Sequence, residues 1–200
     1  MGLLQFYKEK TIEAGCDEAG RGCLAGPVFA AAVILPADYS NDEIKDSKKI
    51  TEKKRYALRN EIESNAIAFK VAQVDNNEID KVNIFKASMK AMHNSIKDLF
   101  VVPQLLLIDG HLFIDYDSIP HVCVVKGDNK FLSIAAASIL AKTYRDDFMK
   151  KIHKEYPEYN WIKNKGYGTK EHYAAIVKYG ITPYHRKSFK IQDKQLSINF

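Results

Sequence analysis

Two adjacent carboxylates, Asp17 and Glu18, follow an apolar run and directly precede the glycine-rich segment Gly20-Arg21-Gly22. Neighbouring side chains of a regular strand point to opposite faces, so we expect the chain to turn here and bring both acids toward one site. A polar strand end before a turn is the simpler alternative, and this segment alone leaves it open. A dinucleotide-binding loop is excluded, because the carboxylates would repel a pyrophosphate and because the apolar run at 28–35 predicts a strand where that loop needs a helix.

Two further acids follow apolar runs. Asp109 follows Leu105-Leu106-Leu107-Ile108, a run typical of a central strand buried on both faces, and Asp128 follows the run at 122–125. Asp109-Gly110 is also a common turn pair, so a surface turn is an alternative for that acid. If the strands are neighbours, four carboxylates converge, and like charges gather only around a cation. Oxygen ligands favour Mg²⁺ or Mn²⁺, and two such ions can catalyse phosphodiester hydrolysis.

The elements that must position these acids follow from hydrophobic periodicity. Strands are predicted at 11–17, 28–35, 67–74, 105–108 and 122–125, and helices at 51–63, 75–96, 131–156 and 169–179. The first three strands can form an antiparallel meander, and the later two, entered through a helix, can join it in parallel. The sequence therefore predicts a mixed sheet with helices packed on it.

Composition limits the class of protein. The chain has 200 residues, 46% hydrophobic residues and a net charge of +5, which predicts one domain with at most a small appendage and suits a polyanionic partner. Three cysteines, Cys16, Cys23 and Cys123, show no metal-binding spacing and are interpreted as reduced thiols. The sequence contains no run long enough to span a membrane, and its first ten residues lack the features of a signal peptide. We expect a cytoplasmic protein.

Basic and aromatic residues near the acids suit a nucleic-acid strand. Tyr167 lies between two glycines with Trp161 nearby, and it can stack on a sugar or a base. The candidate phosphate contacts are Ser47, Lys48, Lys49, Lys126, Lys142 and Arg145. Each lysine alone is better explained as a solvated surface charge. A binding module without catalytic activity would have the basic loops but no need of four carboxylates.

Together these motifs resemble type 2 ribonuclease H, the ribonuclease HII of bacteria. The resemblance covers nearly the whole chain up to Phe189 and departs at Cys23, where the family commonly has proline. We expect a slightly less rigid loop there, without loss of activity. The matching segments are Asp17 to Gly22, Leu24 to Val28, Asp46 to Lys49, Ile108 to Gly110, Lys126 to Asp128, Ser133 to Lys142, Gly166 to Thr169 and Pro183 to Phe189.

The resemblance implies a ribonuclease H-like mixed five-stranded sheet flanked by helices, with a C-terminal helical extension. The expected division is a catalytic domain at 1–156, the extension at 157–190 and a flexible tail at 191–200. The implied activity is endonucleolytic, two-metal-ion cleavage of RNA in RNA–DNA hybrids and at single ribonucleotides embedded in duplex DNA. Such an enzyme removes ribonucleotides from DNA in replication and repair. We expect a monomer.

The resemblance also implies roles for individual residues. The metal-binding catalytic acids are Asp17, Glu18, Asp109 and Asp128, with Mn²⁺ or Mg²⁺ as the cofactor. The backbone of Gly20, Arg21 and Gly22 reads the 2′-hydroxyl of the ribonucleotide, and Tyr167 packs on the next sugar, a deoxyribose. Further substrate contacts are Ser47, Lys48 and Lys142. A related metal nuclease acting on DNA would share the acids but not the 2′-hydroxyl reader.

The last residues, Gln195 to Phe200, resemble the short motif by which bacterial proteins dock on the replicative sliding clamp. Leucine, isoleucine and a terminal phenylalanine can fill an apolar pocket while a glutamine hydrogen-bonds at its rim. Asn199 before the final aromatic departs from the commoner form. The alternative is that Leu196, Ile198 and Phe200 pack back on the enzyme.

Overall fold

A mixed five-stranded sheet lies at the centre of the chain, in the order β3-β2-β1-β4-β5. The computed structural model describes residues 2–44 and 50–189. β1 pairs antiparallel with β2 and parallel with β4, β2 pairs antiparallel with β3, and β4 pairs parallel with β5. This topology confirms the predicted meander with two added parallel strands. The strands are β1 (Glu13–Ala19), β2 (Val28–Ile34), β3 (Ala68–Val74), β4 (Leu105–Asp109) and β5 (His121–Val124).

Helices cover both faces of this sheet. They are α1 (Glu52–Asn65), α2 (Asn76–Val82), α3 (Ile84–Lys97), α4 (Leu132–Glu155), α5 (Trp161–Asn164) and α6 (Lys170–Tyr179), with 3₁₀ turns at Gly127–Asn129 and Pro157–Tyr159. As predicted, Thr51 and Thr169 cap α1 and α6, because each side chain accepts a hydrogen bond from a first-turn amide. No helix in the described part of the chain is long and apolar enough to cross a membrane.

The prediction of one long helix over 75–96 was wrong. Asn83 has φ +70°, outside the right-handed helical region, and it separates α2 from α3. Its side chain accepts a hydrogen bond from Lys86 N at 3.1 Å, so it caps the second helix. The apolar spacing continues across the break, and periodicity alone therefore did not show it.

The two faces of the sheet are buried separately. Ala30 and Ala32 of β2 pack with the apolar stripe of α2 and α3, including Met89 and Met92, which confirms that the methionines belong to the core. Ala31 and the opposite face pack against α1 and the alanine-rich half of α4. Neighbouring strand residues alternate between faces, and both faces are covered, so β2 is buried along its whole length.

A third apolar cluster lies beyond the sheet. Trp161 and Ile176, from the segments after α4, pack there with Met149 of α4 and Leu24 of the glycine-rich loop. The predicted boundary between a catalytic domain and an extension at residue 156 stays a prediction. The three cysteines are free thiols.

Gly15 in β1 lies against the first turn of α4. A Cβ atom added to Gly15 would overlap the backbone of Ser133 and Ile134. We expect Gly15→Ala to lower the free energy of unfolding by about 1–3 kcal/mol, because a strand and a helix backbone must separate. Urea denaturation measures this. Gly2→Ala is the control, since its added Cβ would lie 3.6 Å from Asp42 Oδ1, and a change under about 0.5 kcal/mol is expected. Equal effects of the two variants would contradict the tight packing.

Candidate active site

The first pair of acids lies inside β1. Asp17 and Glu18 pair with Ala31 and Ala30 of β2, and the strand continues to Ala19. The expected turn directly after the acids was therefore wrong. The two side chains leave opposite faces of the strand, and Asp17 is the more buried of the two.

The parallel pairing of β1 with β4 brings Asp109 beside Asp17. Cys16 pairs with Ile108 in this ladder, so the next residue along each strand is one of the two acids. Asp109 Oδ1 accepts a hydrogen bond from Gly127 N at 2.7 Å, which ties the end of β4 to the 3₁₀ turn after β5. Asp128 is buried on that turn, and its Oδ1 accepts from Asn129 Nδ2 at 2.9 Å.

The electrostatics of Asp17 are those of a crowded carboxylate. Burial raises the pKa of Asp17 well above its usual range, and the charges of Glu18 and Asp109 raise it further. Hydrogen bonds from the Ser138 side chain and from Glu18 N act in the opposite direction, the latter at 2.7 Å to Oδ1. Three of the four predicted acids thus interact, and the fourth is joined to them through the Gly127 contact.

The donor set fits a hard divalent cation, because all four candidate ligands offer carboxylate oxygens and their repulsion needs a positive charge. Among residues 2–44 and 50–189, however, no group of three or more His, Cys, Asp or Glu side chains is arranged to hold a metal ion. Glu18 Oε1 instead accepts from Arg21 Nη1 at 3.2 Å. Convergence of all four acids on one metal site stays a prediction.

Buried Arg186 fixes the glycine-rich loop. The residue is 2% exposed, and its guanidinium donates hydrogen bonds to the carbonyls of Gly20, Arg21 and Gly26, at 2.7, 2.8 and 2.9 Å. In a trans peptide the N–H points away from the C=O. The amides of Arg21 and Gly22 therefore point away from the buried guanidinium, and both residues are exposed. The loop presents two backbone donors outward.

Arg145 of α4 holds the other side of the same loop. It donates to Pro27 O at 3.2 Å, Ala25 O at 3.2 Å and Lys165 O at 2.8 Å, and is 1% exposed. Its predicted contact with phosphates was therefore wrong. The left-handed Gly20 lies against its side chain, so a Cβ there would overlap Arg145.

Tyr167 lies beside the glycine-rich loop. Cys23 and Tyr167 form an isolated antiparallel bridge, and Leu24 N donates to Gly166 O at 2.8 Å. Tyr167 is 44% exposed, and its Cε1 lies 4.0 Å from where a Cβ of Gly22 would be. The structure thus brings together two features that the sequence analysis assigned separately. The expected looser loop at Cys23 stays a prediction.

The remaining residues predicted to contact nucleic acid lie in different environments. Lys142 forms an ion pair with the fully buried Asp146 one turn later on α4, and burial lowers the pKa of Lys142. Lys126 is exposed. Trp161 is fully buried, which contradicts its predicted place near the nucleic acid. Ser47, Lys48 and Lys49 lie outside the described residues.

Sequence reasoning missed the structural roles of both buried arginines. Arg145 carries a signal, because it continues the buried stripe of Ala137, Ala141 and Met149 at four-residue spacing. A charged residue on that stripe must find buried partners. Arg186 carries no such signal, since it lies in a segment without helical or strand periodicity.

Comparison with protein families gives one result over most of the chain. The family model described as Ribonuclease HII matches residues 14–192. The chain is 60% identical to ribonuclease HII of Bacteroides thetaiotaomicron over 199 residues, which are 99% of this chain and 100% of that protein. It is 61% identical to ribonuclease HII of Parabacteroides distasonis over 198 residues, with coverage of 99% and 100%.

Solved structures share the fold at low sequence identity. Ribonuclease H2 of Pyrococcus horikoshii OT3 superposes with a TM-score of 0.77 at 24% identity, covering 92% of this chain and 96% of that one. Ribonuclease HII of Archaeoglobus fulgidus, in a complex with PCNA, gives 0.74 at 23% identity, with 90% and 96% covered. Bst-RNase HIII in complex with Mn²⁺ gives 0.69 at 19% identity, with 94% and 70% covered. The ribonuclease H-like fold is thereby confirmed.

Removal of the Arg186 guanidinium should destabilise the protein. We expect Arg186→Met to lower the free energy of unfolding by about 3 kcal/mol, because buried carbonyls lose charged donors. Lys187→Met is the matched control, since Lys187 is the exposed next residue, and its effect should stay within about 0.5 kcal/mol. Urea denaturation of both variants checks this. A loss below about 1 kcal/mol for Arg186→Met would show that the loop does not depend on the guanidinium.

Because of buried His185, we expect the free energy of unfolding to fall in acid. Burial, and then the neighbouring His172, lower the pKa of His185 from 6.5 to about 4. The unfolded chain therefore takes up this proton first, and stability falls as the pH drops from 6.5 to about 4, by on the order of 3 kcal/mol. His185→Asn keeps an acceptor for Thr182 N, which donates to His185 Nδ1 at 2.9 Å. Urea titrations of both proteins at about pH 7.5 and about pH 4.5 should show a smaller acid loss for the variant. Equal losses would contradict the assignment.

Proposed function

The chain belongs to the ribonuclease HII family, whose members are endonucleolytic, metal-dependent hydrolases of RNA–DNA hybrids, and we propose that it also cuts at single ribonucleotides embedded in duplex DNA. One observation carries the proposal: the outward backbone amides of Arg21 and Gly22 lie beside the exposed ring of Tyr167. Reading one sugar needs a 2′-hydroxyl detector and a neighbouring surface for the next sugar, and these residues offer both.

The amides of Arg21 and Gly22 can distinguish RNA from DNA. A 2′-hydroxyl can accept a hydrogen bond from a backbone N–H, and deoxyribose cannot. Arg186 fixes these amides before any substrate arrives, so no ordering entropy is lost on binding. Gly22 leaves the approach to the backbone open, because no side chain stands in front of it.

Tyr167 gives the second half of the reading. Its flat ring across from Gly22 is suited to pack on the sugar that follows the ribonucleotide, and a deoxyribose fits closest because it lacks the extra hydroxyl. Base or sugar stacking of this kind is worth about 1–3 kcal/mol. The junction between a ribonucleotide and a deoxyribonucleotide is thereby the preferred substrate.

We assign the metal ligands to Asp17, Glu18, Asp109 and Asp128. Two divalent ions held there, Mn²⁺ or Mg²⁺, would supply Lewis acids for phosphodiester hydrolysis. The chain orients its own carboxylates for this, because Ser138 and Glu18 N hold Asp17, and Gly127 N holds Asp109. The raised pKa of Asp17 supports the assignment, since a cation would relieve the repulsion from Glu18 and Asp109.

We assign the remaining substrate contacts to the phosphates of the nucleic-acid strand. Lys142 is held by Asp146 and keeps its side chain 22% exposed, so it can meet a strand that passes the acids. Ser47 and Lys48 are assigned to the same strand. We assign the enzyme to removal of ribonucleotides from DNA in replication and repair, in the cytoplasm and as a monomer.

Cleavage of a duplex with one embedded ribonucleotide, beside an all-DNA duplex of the same sequence, tests the activity. We expect a cut only in the strand that carries the ribonucleotide, and only with Mn²⁺ or Mg²⁺ present. Cleavage of both duplexes would identify a DNA nuclease instead. Binding without cleavage would identify a silent binding module.

We further propose that the tail docks on the sliding clamp through Gln195 to Phe200, residues outside the described part of the chain. The A. fulgidus relative supports this, because it was solved in a complex with PCNA. We expect a titration calorimeter to record micromolar binding of the clamp to the full chain. A chain ending at Lys194 should not bind. Equal binding by both chains, or none by the full chain, would contradict the proposal.

Asp109→Asn tests the metal site. The variant keeps an oxygen acceptor for Gly127 N, so it should fold, but losing a charged ligand should lower cleavage by several orders of magnitude. Without metal its melting temperature should rise, because one charge that repels Asp17 is gone. Thermal melts with and without Mn²⁺ show whether metal stabilises the wild type more than the variant. Normal turnover by Asp109→Asn would refute the site.

A further inference from the structure

Two buried histidines connect the C-terminal segments to Tyr167. His172 of α6 is fully buried, and its Nδ1 lies 2.9 Å from the carbonyl oxygen of Tyr167. Its Nε2 lies 3.0 Å from Trp161 Nε1 and 3.1 Å from His185 Nε2. These contacts join four segments at one ring, and the mechanism above uses none of them.

The partners determine where the protons are. A carbonyl oxygen only accepts, so His172 Nδ1 must carry a proton and donate it to Tyr167 O. The indole N–H of Trp161 only donates, so His172 Nε2 must be an acceptor. His185 Nδ1 accepts from Thr182 N at 2.9 Å, which puts its proton on Nε2, facing His172. Burial lowers the pKa of His172, which agrees with a neutral ring.

The arrangement allows His172 to donate a hydrogen bond in one direction only. Trp161 and His185 both direct protons at Nε2, so the neutral ring can hold its own proton only at Nδ1, toward Tyr167. A buried neutral imidazole with a determined tautomer is a rigid donor.

His172 adds a side-chain contact to the backbone of Tyr167, which Thr169 N, Asn164 O and the bridge to Cys23 also hold. Tyr167 lies between two glycines and is 44% exposed. Its side chain also interacts with that of Cys23, so surrounding packing restrains the ring only in part. The Tyr167 carbonyl accepts from Thr169 N at 2.9 Å as well as from His172. The only side-chain hydrogen bond recorded on this carbonyl among the described residues is that of His172.

We propose that His172 is a positioning residue for substrate choice: by holding the carbonyl of Tyr167 it sets the orientation of the exposed tyrosine ring. The inference rests on the proposed function, because the ring is assigned to the sugar next to the ribonucleotide. Loss of the His172 donor should weaken cleavage at a single embedded ribonucleotide more than cleavage of a continuous hybrid.

Two substitutions separate the two nitrogens of His172. An asparagine side chain places its amide near the Nδ1 position, so His172→Asn keeps a donor for Tyr167 O and loses the acceptor for Trp161. A glutamine side chain reaches the Nε2 position, so His172→Gln keeps that acceptor and loses the donor. Both variants leave a buried group without its partner, and both are compared at a temperature at which circular dichroism shows them folded.

The measured quantity is the ratio of kcat/KM on a duplex with one ribonucleotide to kcat/KM on a continuous hybrid. His172→Gln should lower this ratio by on the order of tenfold, the equivalent of one lost hydrogen bond. His172→Asn should keep the wild-type ratio, whatever its melting temperature. A lowered ratio in His172→Asn, or an unchanged ratio in a folded His172→Gln, overturns the proposal.

A double-mutant cycle with Tyr167→Ala shows whether His172 acts through the ring. Once the ring is removed, His172→Gln should have no further effect on kcat/KM, so the two losses should not add. Additive losses would mean that His172 only supports the fold. An unchanged kcat/KM in Tyr167→Ala would mean that the ring does not contribute to substrate choice. Either result overturns the proposal. The cycle is measured on both substrates. A wild type that cuts hybrids but not single ribonucleotides refutes the proposed function, while the cycle on the hybrid still decides the role of His172.

Discussion

Hydrogen bonds from two buried guanidinium groups to backbone carbonyls are the constraint on which the candidate site depends. Arg186 holds the carbonyls of Gly20, Arg21 and Gly26, and Arg145 holds those of Ala25 and Pro27. A loop with so many glycines has many conformations, and ordering it costs entropy. Charged donors in a buried setting can offset that cost. With their carbonyls held, the peptides that join Gly20 to Arg21 and Arg21 to Gly22 direct their N–H groups away from Arg186.

The acids pose the opposite problem, because here like charges are held together. Asp17 is buried in a sheet whose parallel pairing places Asp109 next to it, and Glu18 adds a further charge. The fold tolerates this repulsion because the sheet is packed on both faces by the alanine-rich α4 and by α2 and α3. Packing of the core thus offsets the repulsion among the acids at the ends of β1 and β4, where the chemistry is expected. Enzymes commonly stabilise a strained site in this way.

Much of this could be predicted from sequence, and the failures have physical reasons. The strands and the mixed sheet followed from apolar runs such as Leu105 to Ile108, and capping by Thr51 and Thr169 followed from side-chain chemistry. The break at Asn83 did not, because apolar spacing persists through it. Arg145 and Trp161 were assigned to the nucleic acid because their types are common there, whereas three-dimensional burial gives them internal partners. The grouping of Tyr167 with Gly22 depends on contacts between distant segments, which no local pattern encodes.

The hydrogen bond from Arg186 to the carbonyl of Gly20 spans 166 positions of the chain. A chain made from its N-terminus can pair β1 with β2 early, since both lie in the first 34 residues. The loop between them must nevertheless wait for Arg186 before its carbonyls are held. In a chain made from its N-terminus, the pairing of β1 with β2 can therefore precede the hydrogen bonds from Arg186 that hold the loop between them. Contacts of such long range also slow folding.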